Sequence, residues 1–290
     1  MRLEIKSCCK VNLLLNILGK RPDGFHELET VLQSVNVCDE LTFERGGNGI
    51  QITCNHSGLP TDSRNLVYRA AEAFLSSQNL RDGVRVHLTK KIPLAAGLGG
   101  GSANAAATLL GMNELFDSPL SVKGLEALAA PLGSDVPFFL QTKPALATGR
   151  GEKIQPQGQF PALRGKAIVL IHPGFGISTP WSYQSLARFP EALNGRKGRA
   201  QELISRLQAD DWPGAADGFY NALEAPAFHK FPVLQLYKEY LRENGALAAL
   251  MSGSGSTTFA IAENHTTAEA LAEKFKTKFG TTSWLRVVDV

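Results

Sequence analysis

The run Lys91-Ile92-Pro93-Leu94-Ala95-Ala96-Gly97-Leu98-Gly99-Gly100-Gly101-Ser102-Ala103-Asn104-Ala105 sets a cluster of glycines directly before an alanine-rich stretch. Glycine tolerates positive φ and lets a ligand approach the backbone closely. The first turn of a helix offers N–H groups with no intrahelical partner, together with the positive end of the helix dipole. A glycine turn feeding a helix is therefore a cradle for an anion, and a polyphosphate fits it. Alanine has the strongest helix preference, and Ser102 is expected to cap the helix start. The plain alternative is a glycine turn that binds nothing.

Familiar phosphate loops do not match. A P-loop needs Lys-Ser or Lys-Thr straight after its last glycine, and neither follows Gly101. A dinucleotide fingerprint can be laid on Gly97, Gly99 and Ser102, but the acid it needs about 20 positions later is not in place, and position 121 is a serine. Protein-kinase chemistry is excluded as well, because no His-Arg-Asp or Asp-Phe-Gly triplet occurs.

Two charged residues stand in apolar surroundings. Lys10 interrupts Cys8-Cys9-Lys10-Val11-Asn12-Leu13, where an unpaired ammonium is costly to bury. Asp135 follows Gly133-Ser134 and precedes Val136-Pro137-Phe138-Phe139, a setting that raises functional interest in a carboxylate. Placed together beside a terminal phosphate, the carboxylate can accept a hydroxyl proton while the ammonium stabilises the oxygen. The structural alternatives are a lysine whose head reaches solvent at a strand edge and an aspartate that only shapes a turn. The sequence does not show that they converge.

The elements that must carry these residues are mixed. Alternating or continuous apolar runs predict strands over 2–7, 10–18, 29–36, 40–45 and 50–54, with turns at Pro22-Asp23-Gly24 and Gly46-Gly47-Asn48-Gly49. Leu66, Ala70, Ala73 and Phe74 have helical spacing in 65–77, and Val84 to Leu88 reads as the strand that enters the glycine loop. A further helix is expected over 120–132, stopped by Gly133 and Pro137. Polar, proline-bearing 155–161 is the expected boundary, giving domains 1–158 and 159–290. Beyond it come a strand at 167–171, helices between 182 and 244, a glycine turn within 246–256, a strand at 258–262, a helix over 267–279 and a strand at 285–290. This is an α+β arrangement.

With 290 residues, 43% hydrophobic and 20% charged, the chain can bury two ordinary cores. A net charge of +3 with both signs interspersed gives no reason to expect nucleic acid as a partner. No run approaches the roughly 18 apolar residues of a membrane span, and the start lacks a cleavage-like site, so no membrane partner and a cytoplasmic location are expected. Cys8, Cys9, Cys38 and Cys54 show no Cys-x-x-Cys spacing, so neither a zinc site nor a disulfide is expected.

Pro-x-x-x-Gly-Leu-Gly-x-Gly-Ser at 93–102 resembles the ATP loop of the GHMP kinases, the small-molecule kinases of galactose, homoserine, mevalonate and phosphomevalonate. The resemblance extends to Lys10-Val11-Asn12-Leu13, to Gly19-Lys20-Arg21-Pro22-Asp23-Gly24-Phe25-His26-Glu27-Leu28, to 133–139, to 147–152 and to Ser252-Gly253-Ser254-Gly255-Ser256. The segment from Arg21 to His26 is similar to the branch that acts on a cytidyl diphosphate alcohol. It implies ATP-dependent phosphorylation of the 2-hydroxyl of a cytidyl diphosphate methylerythritol, a step of the non-mevalonate route to isoprenoid precursors. The implied fold is an N-terminal ribosomal-protein-S5-domain-2-like domain and a C-terminal ferredoxin-like domain, with the site between them.

Carried over residue by residue, the resemblance makes Lys10 and Asp135 the catalytic pair and Pro93, Leu94, Ala95, Ala96, Gly97, Leu98, Gly99, Gly100, Gly101, Ser102 and Ala103 the ATP loop. Asn12 falls near the reacting hydroxyl, Phe25 and His26 at the cytosine, and Thr179 and Tyr183 approach from the second domain. Mg2+ is expected with ATP, Ser102 offering a nearby hydroxyl, without a carboxylate cage. The 252–256 turn is expected to face the site as a structural loop. Cys8-Cys9 stands where Pro-Ala is usual, Phe25 where tyrosine is frequent and Tyr183 where phenylalanine is expected; the aromatic faces persist. A monomer or homodimer acting on a small molecule is implied. The competing readings are a kinase of another small alcohol, a dinucleotide-dependent oxidoreductase and a catalytically idle metabolite sensor.

Overall fold

A computed structural model describes residues 2–290. The chain divides into two compact units that are not consecutive halves: Met1–Cys9, Val37–Ile92 and Gly99–Thr142 form the first, and Lys10–Asn36, Pro93–Leu98 and Lys143–Val290 the second. The expected boundary at 158/159 falls inside the second of these units.

Two long strands, β1 (Arg2–Lys20) and β2 (His26–Arg45), each contribute residues to both units. Sequence patterning divides each into two strands, because Arg2–Lys6 alternates between exposed and half-buried positions whereas Cys9–Leu15 is buried on both faces. The backbone runs through without a break. What changes at Lys10 and near Asp39 is the packing on either face.

In the first unit β3 (Ile50–Cys54) pairs parallel with β4 (Val84–Thr89), which pairs antiparallel with Glu40–Arg45 of β2. The crossover from β3 to β4 carries α1 (Leu66–Ser77), capped by the Asn65 side chain on Val67 N–H. After the glycine loop comes α2 (Gly100–Leu115), then α3 (Val122–Ala129) capped by Ser121. Val67, Phe74, Ala105, Leu109 and Met112 from α1 and α2 bury against Leu41, Phe43, Val86 and Leu88 of the sheet. The alanines of α2 thus serve close helix packing as well as helix propensity. Gly111 marks the tightest approach: a Cβ there would lie 2.7 Å from Phe43 Cε2 and 3.0 Å from Ile5 Cδ1.

In the second unit β5 (Ala145–Gly149) pairs antiparallel with Leu28–Leu32 of β2 and with β6 (Lys153–Pro156). Next come β7 (Ala167–His172), α4 (Thr179–Ser185), α5 (Pro190–Leu193), α6 (Arg199–Gln208) and α7 (Trp212–Ala216). The short β8 (Tyr220–Asn221) pairs parallel with Leu14 and Leu15. It is followed by α8 (Glu224–Lys230), α9 (Pro232–Glu243), β9 (Ala248–Met251), β10 (Thr258–Ala262), α10 (His265–Phe279) and β11 (Trp284–Asp289).

The last sheet has the order β11-β7-β10-β9, all antiparallel. With α9 between β7 and β9 and α10 between β10 and β11, this is the βαββαβ pattern of a ferredoxin-like layer. Tyr237 and Leu241 of α9 and Leu271 and Phe275 of α10 close its core with Val169, Ile171 and Ala260. The mixed α+β class expected from the sequence is the class observed.

One expectation fails. Cys8 and Cys38 form a disulfide within the first unit, their Cα atoms 3.8 Å apart across the neighbouring strands β1 and β2. Motif spacing does not reveal such a pair, because a cross-strand bridge depends on register and not on local sequence distance. Cys9 and Cys54 are not in disulfides.

Gly111→Val is expected to cost about 1 to 3 kcal/mol, because Phe43 is fully buried and has no room to move aside. Thermal unfolding checks this. A melting temperature equal to that of the unsubstituted protein would mean that α2 does not press on Phe43 as the structure has it.

Candidate functional site

The second unit gathers a polar cluster around one peptide oxygen. Lys10, only 3% exposed, donates from Nζ to Asn12 Oδ1 at 2.5 Å and to the Gly97 carbonyl at 2.9 Å. Asn12 Nδ2 donates in turn to Thr30 Oγ1 at 2.8 Å, and Thr30 Oγ1 donates to the Leu14 carbonyl at 2.5 Å. Ser252 Oγ also donates to Gly97 O, at 3.0 Å. The ammonium is thus held in place by the glycine loop and by its own strand neighbour, while the backbone N–H of Lys10 donates to Leu98 O at 3.0 Å.

The turn after β9 locks the loop from the other side. Gly97 has φ +77°, and a Cβ there would collide with the Ser252 carbonyl. At Gly253 a Cβ would stand 3.1 Å from Lys10 Nζ and 2.8 Å from Gly97 O. Two further backbone bonds, Ile177 N–H to Ala95 O at 3.3 Å and Thr257 N–H to Ala96 O at 3.1 Å, tie down the stretch before it. Asn221 Nδ2 reaches the carbonyls of Met251 and Gly253 at 2.7 and 2.8 Å and so fixes the 252–256 turn. Sequence reading names that turn but misses Thr30 and Asn221. Neither has a motif signal, because each acts through contacts that only folding creates.

The remaining loop residues belong to the first unit. Gly99, at φ +70°, is the N-cap of α2, and Ala103 N–H donates to its carbonyl at 2.8 Å. Ser102 is therefore in the first turn of the helix and does not cap it. A left-handed glycine leaves the end amides of α2 without a side-chain partner, as an anion cradle requires. The turn Gly133–Val136, which carries Asp135, lies against that helix start: a Cβ on Gly133 would be 4.0 Å from Ser102 Oγ. Asp135 is half-buried, preceding the fully buried Val136 and Phe138.

A third group consists of rings in the second unit. His26 and Tyr183 lie 5.3 Å apart between centroids with a tilt of 37°. Phe25 is 51% exposed at the tip of a turn tightened by Arg21 against Asp23 and Glu27, and the Arg150 guanidinium covers its ring at 4.5 Å. Thr179 opens α4 and shares a 2.9 Å hydrogen bond with Ser254 Oγ. Tyr183 and Thr179 thus sit on one short helix anchored to the same turn that grips Gly97. Among the described residues no three His, Cys, Asp or Glu side chains gather as a metal site, and no helix is long and apolar enough to cross a membrane.

A buried ammonium at a glycine loop in the second unit, and in the first a left-handed glycine opening a helix beside a carboxylate turn, are features of the kinds that a small-molecule phosphotransferase uses. The family models agree: residues 65–143 match the GHMP kinases N terminal domain and residues 189–281 the GHMP kinases C terminal. The chain belongs to the GHMP kinases, whose phosphoryl donor is ATP, and within them to the 4-diphosphocytidyl-2-C-methyl-D-erythritol kinase family. The kinase of that name from Pelotomaculum thermopropionicum is 42% identical over 92% of this chain and 91% of its own. That from Geobacter sulfurreducens is 38% identical over 96% of both. A crystal structure of 4-(cytidine 5'-diphospho)-2C-methyl-D-erythritol kinase superposes with a TM-score of 0.82 at 34% identity, covering 99% of this chain and all of the other.

His26 gives a pH-dependent check on the ring cluster. Burial disfavours its imidazolium, and the positive charge of Lys20 adds to this, so its pKa lies below the ordinary 6.5. The unfolded chain takes up this proton first as pH falls. The stability associated with a neutral His26 is therefore complete above about pH 6.5 and declines as pH falls from there through the folded midpoint. The NMR titration of the His26 ring is expected to have its midpoint below 6.5; a midpoint at or above that value would place the ring in solvent.

Proposed function

We propose that this chain transfers the terminal phosphoryl group of ATP to the 2-hydroxyl of 4-diphosphocytidyl-2-C-methyl-D-erythritol, with Lys10 and Asp135 as its catalytic residues. The observation that carries the assignment to residues is the Lys10 ammonium, buried and bonded to the carbonyl of Gly97 in the glycine loop. A cation tied to a phosphate loop is placed to offset charge where phosphoryl transfer develops it.

In this reading the Asp135 carboxylate takes the proton of the acceptor hydroxyl, the oxygen forms its bond to the terminal phosphorus, and the bond to the bridging oxygen breaks to release ADP. Lys10 stabilises the acceptor oxygen as its proton departs, and Asn12 orients it. The free amides at the start of α2 hold phosphate oxygens, with Gly97 to Gly101 allowing close approach. Mg2+ would accompany the nucleotide, with the Ser102 hydroxyl as the side chain that would help to hold it, and would offset the charge that phosphoryl transfer develops. Phe25, His26 and Tyr183 take the cytosine by stacking and by edge hydrogen bonds, with Thr179 alongside.

The reading keeps 1–158 as the N-terminal ATP-binding and catalytic domain and 159–290 as the C-terminal domain; the two matched family segments lie on either side of that boundary. It also places the enzyme in the cytoplasm, where the Cys8–Cys38 pair would meet reducing thiols.

A substrate panel with labelled ATP tests the reaction. The cytidyl diphosphate alcohol is expected to be phosphorylated in preference to mevalonate, homoserine and galactose, and efficient turnover of one of those three without the cytidyl compound would overturn the assignment. Asp135→Asn keeps the shape and removes the base, so kcat is expected to fall roughly 100- to 10,000-fold with an unchanged fold by circular dichroism. Tyr183→Ala is expected to raise the dissociation constant of the cytidyl substrate roughly 5- to 150-fold and leave that of ATP alone, as titration calorimetry would show. Equal effects on both ligands would remove Tyr183 from base recognition.

A further inference from the structure

Behind the glycine loop, within the first unit, lies a buried charged network to which the reaction above assigns nothing. Asp39 of β2 is fully buried and accepts four hydrogen bonds. Its Oδ1 receives the backbone N–H groups of Lys91 and Ile92 at 2.7 and 2.9 Å, and its Oδ2 receives Asn104 Nδ2 at 2.9 Å and the Lys90 ammonium. Lys90, its side chain 4% exposed, also donates to Asn104 Oδ1 at 3.2 Å. Asn104 uses its second N–H on Ser7 Oγ at 2.9 Å. All four acceptor sites of the carboxylate are thereby used.

The position of these partners is what matters. Lys91 and Ile92 are the last residues before the loop, and Asn104 is in α2 just after it, so one carboxylate holds both ends of Pro93–Ala103. The Lys90 ammonium lies 3.3 Å from where a Cβ of Gly100 would be, against the opening of α2. A cation there is unfavourable beside the positive end of a helix, and Asp39 offsets it. Buried ion pairs contribute little net stability compared with well-packed apolar residues, so the consequence of this network is geometric.

We propose that Asp39 is a positioning residue for the nucleotide phosphates: acting through Lys90, Asn104 and the amides of Lys91 and Ile92, it sets the spacing between the two ends of the loop and hence the aim of the α2 amides. This rests on the loop being the ATP site. The ligand concerned is the triphosphate of the donor; the cytidyl substrate is not held by this network.

The test uses the full-length protein and three forms: unsubstituted, Asp39→Asn, and the double variant Asp39→Asn with Lys90→Met, which leaves no unpaired buried charge. Binding of a non-hydrolysable ATP analogue is measured by calorimetry, together with KM for ATP and for the cytidyl alcohol, melting temperature and amide exchange across 93–103. Both variants are expected to bind the analogue about 10- to 100-fold more weakly, with KM for the cytidyl alcohol unchanged within about twofold and faster exchange at 99–103. The double variant is expected to recover the melting temperature without recovering nucleotide affinity, a separation that a merely structural role would not produce. If the unsubstituted protein binds the analogue and the double variant binds it equally well, the positioning role is overturned while the ATP-loop reading stands. If both KM values rise together in step with lost melting temperature, the network is structural only. If the unsubstituted protein binds no nucleotide, the ATP-loop reading itself fails and this proposal with it.

Discussion

The carbonyl of Gly97 is the point on which the site in the second unit depends. A buried ammonium is tolerated only where hydrogen bonds replace its lost hydration, and Lys10 donates to Asn12 on its own strand and to Gly97 O. Ser252 donates to the same oxygen, so the strand, the glycine loop and the turn after β9 share one acceptor. The glycine at 97 follows from this: its positive φ aims the carbonyl at Lys10, and the Ser252 backbone occupies the space a side chain would need.

The loop has two different jobs along its length. Pro93–Leu98 is fastened within the second unit by backbone bonds to Ile177 and Thr257 and supplies a fixed acceptor to the Lys10 ammonium. Gly99–Ala103 opens α2 and supplies donors, its left-handed glycine leaving the helix start without a side-chain cap. A serine cap at this place would have satisfied amides that the proposed phosphate site needs. The same stretch of chain thus presents oxygen to a lysine and, in the proposed reading, nitrogen to an anion, and the change occurs at Gly99, where α2 opens.

The base recognition we propose rests on a different physical basis. His26 and Tyr183 pair as rings, and the exposed face of Phe25 is stiffened by Arg150. These are interactions of modest strength, on the order of 1 kcal/mol each, yet they arrange flat surfaces of the kind a pyrimidine stacks on. The turn that carries Phe25 and His26 is held by Arg21 through surface ion pairs, which contribute more to its shape than to global stability.

The sequence by itself determined the local devices: the glycines before an alanine helix, the α+β class, and the kinase family through the resemblance carried by Pro93 to Ser102 and the other motifs. Those features are legible because each depends on neighbours in the chain, where steric limits and helix-end hydrogen bonding act over a few residues. Tertiary structure alone decided the rest. It merged four expected strand segments into β1 and β2, interleaved the two units, joined Cys8 to Cys38, made Gly99 the cap in place of Ser102, and brought Thr30, Asn221 and Ser252 around Lys10 and its loop. It also gave Asp39 its four partners, drawn from Lys90 to Ile92 just after β4 and from Asn104 in α2. A side chain's partners across strands and loops are set by register and packing, which couple positions tens or hundreds of residues apart, and no local pattern encodes them.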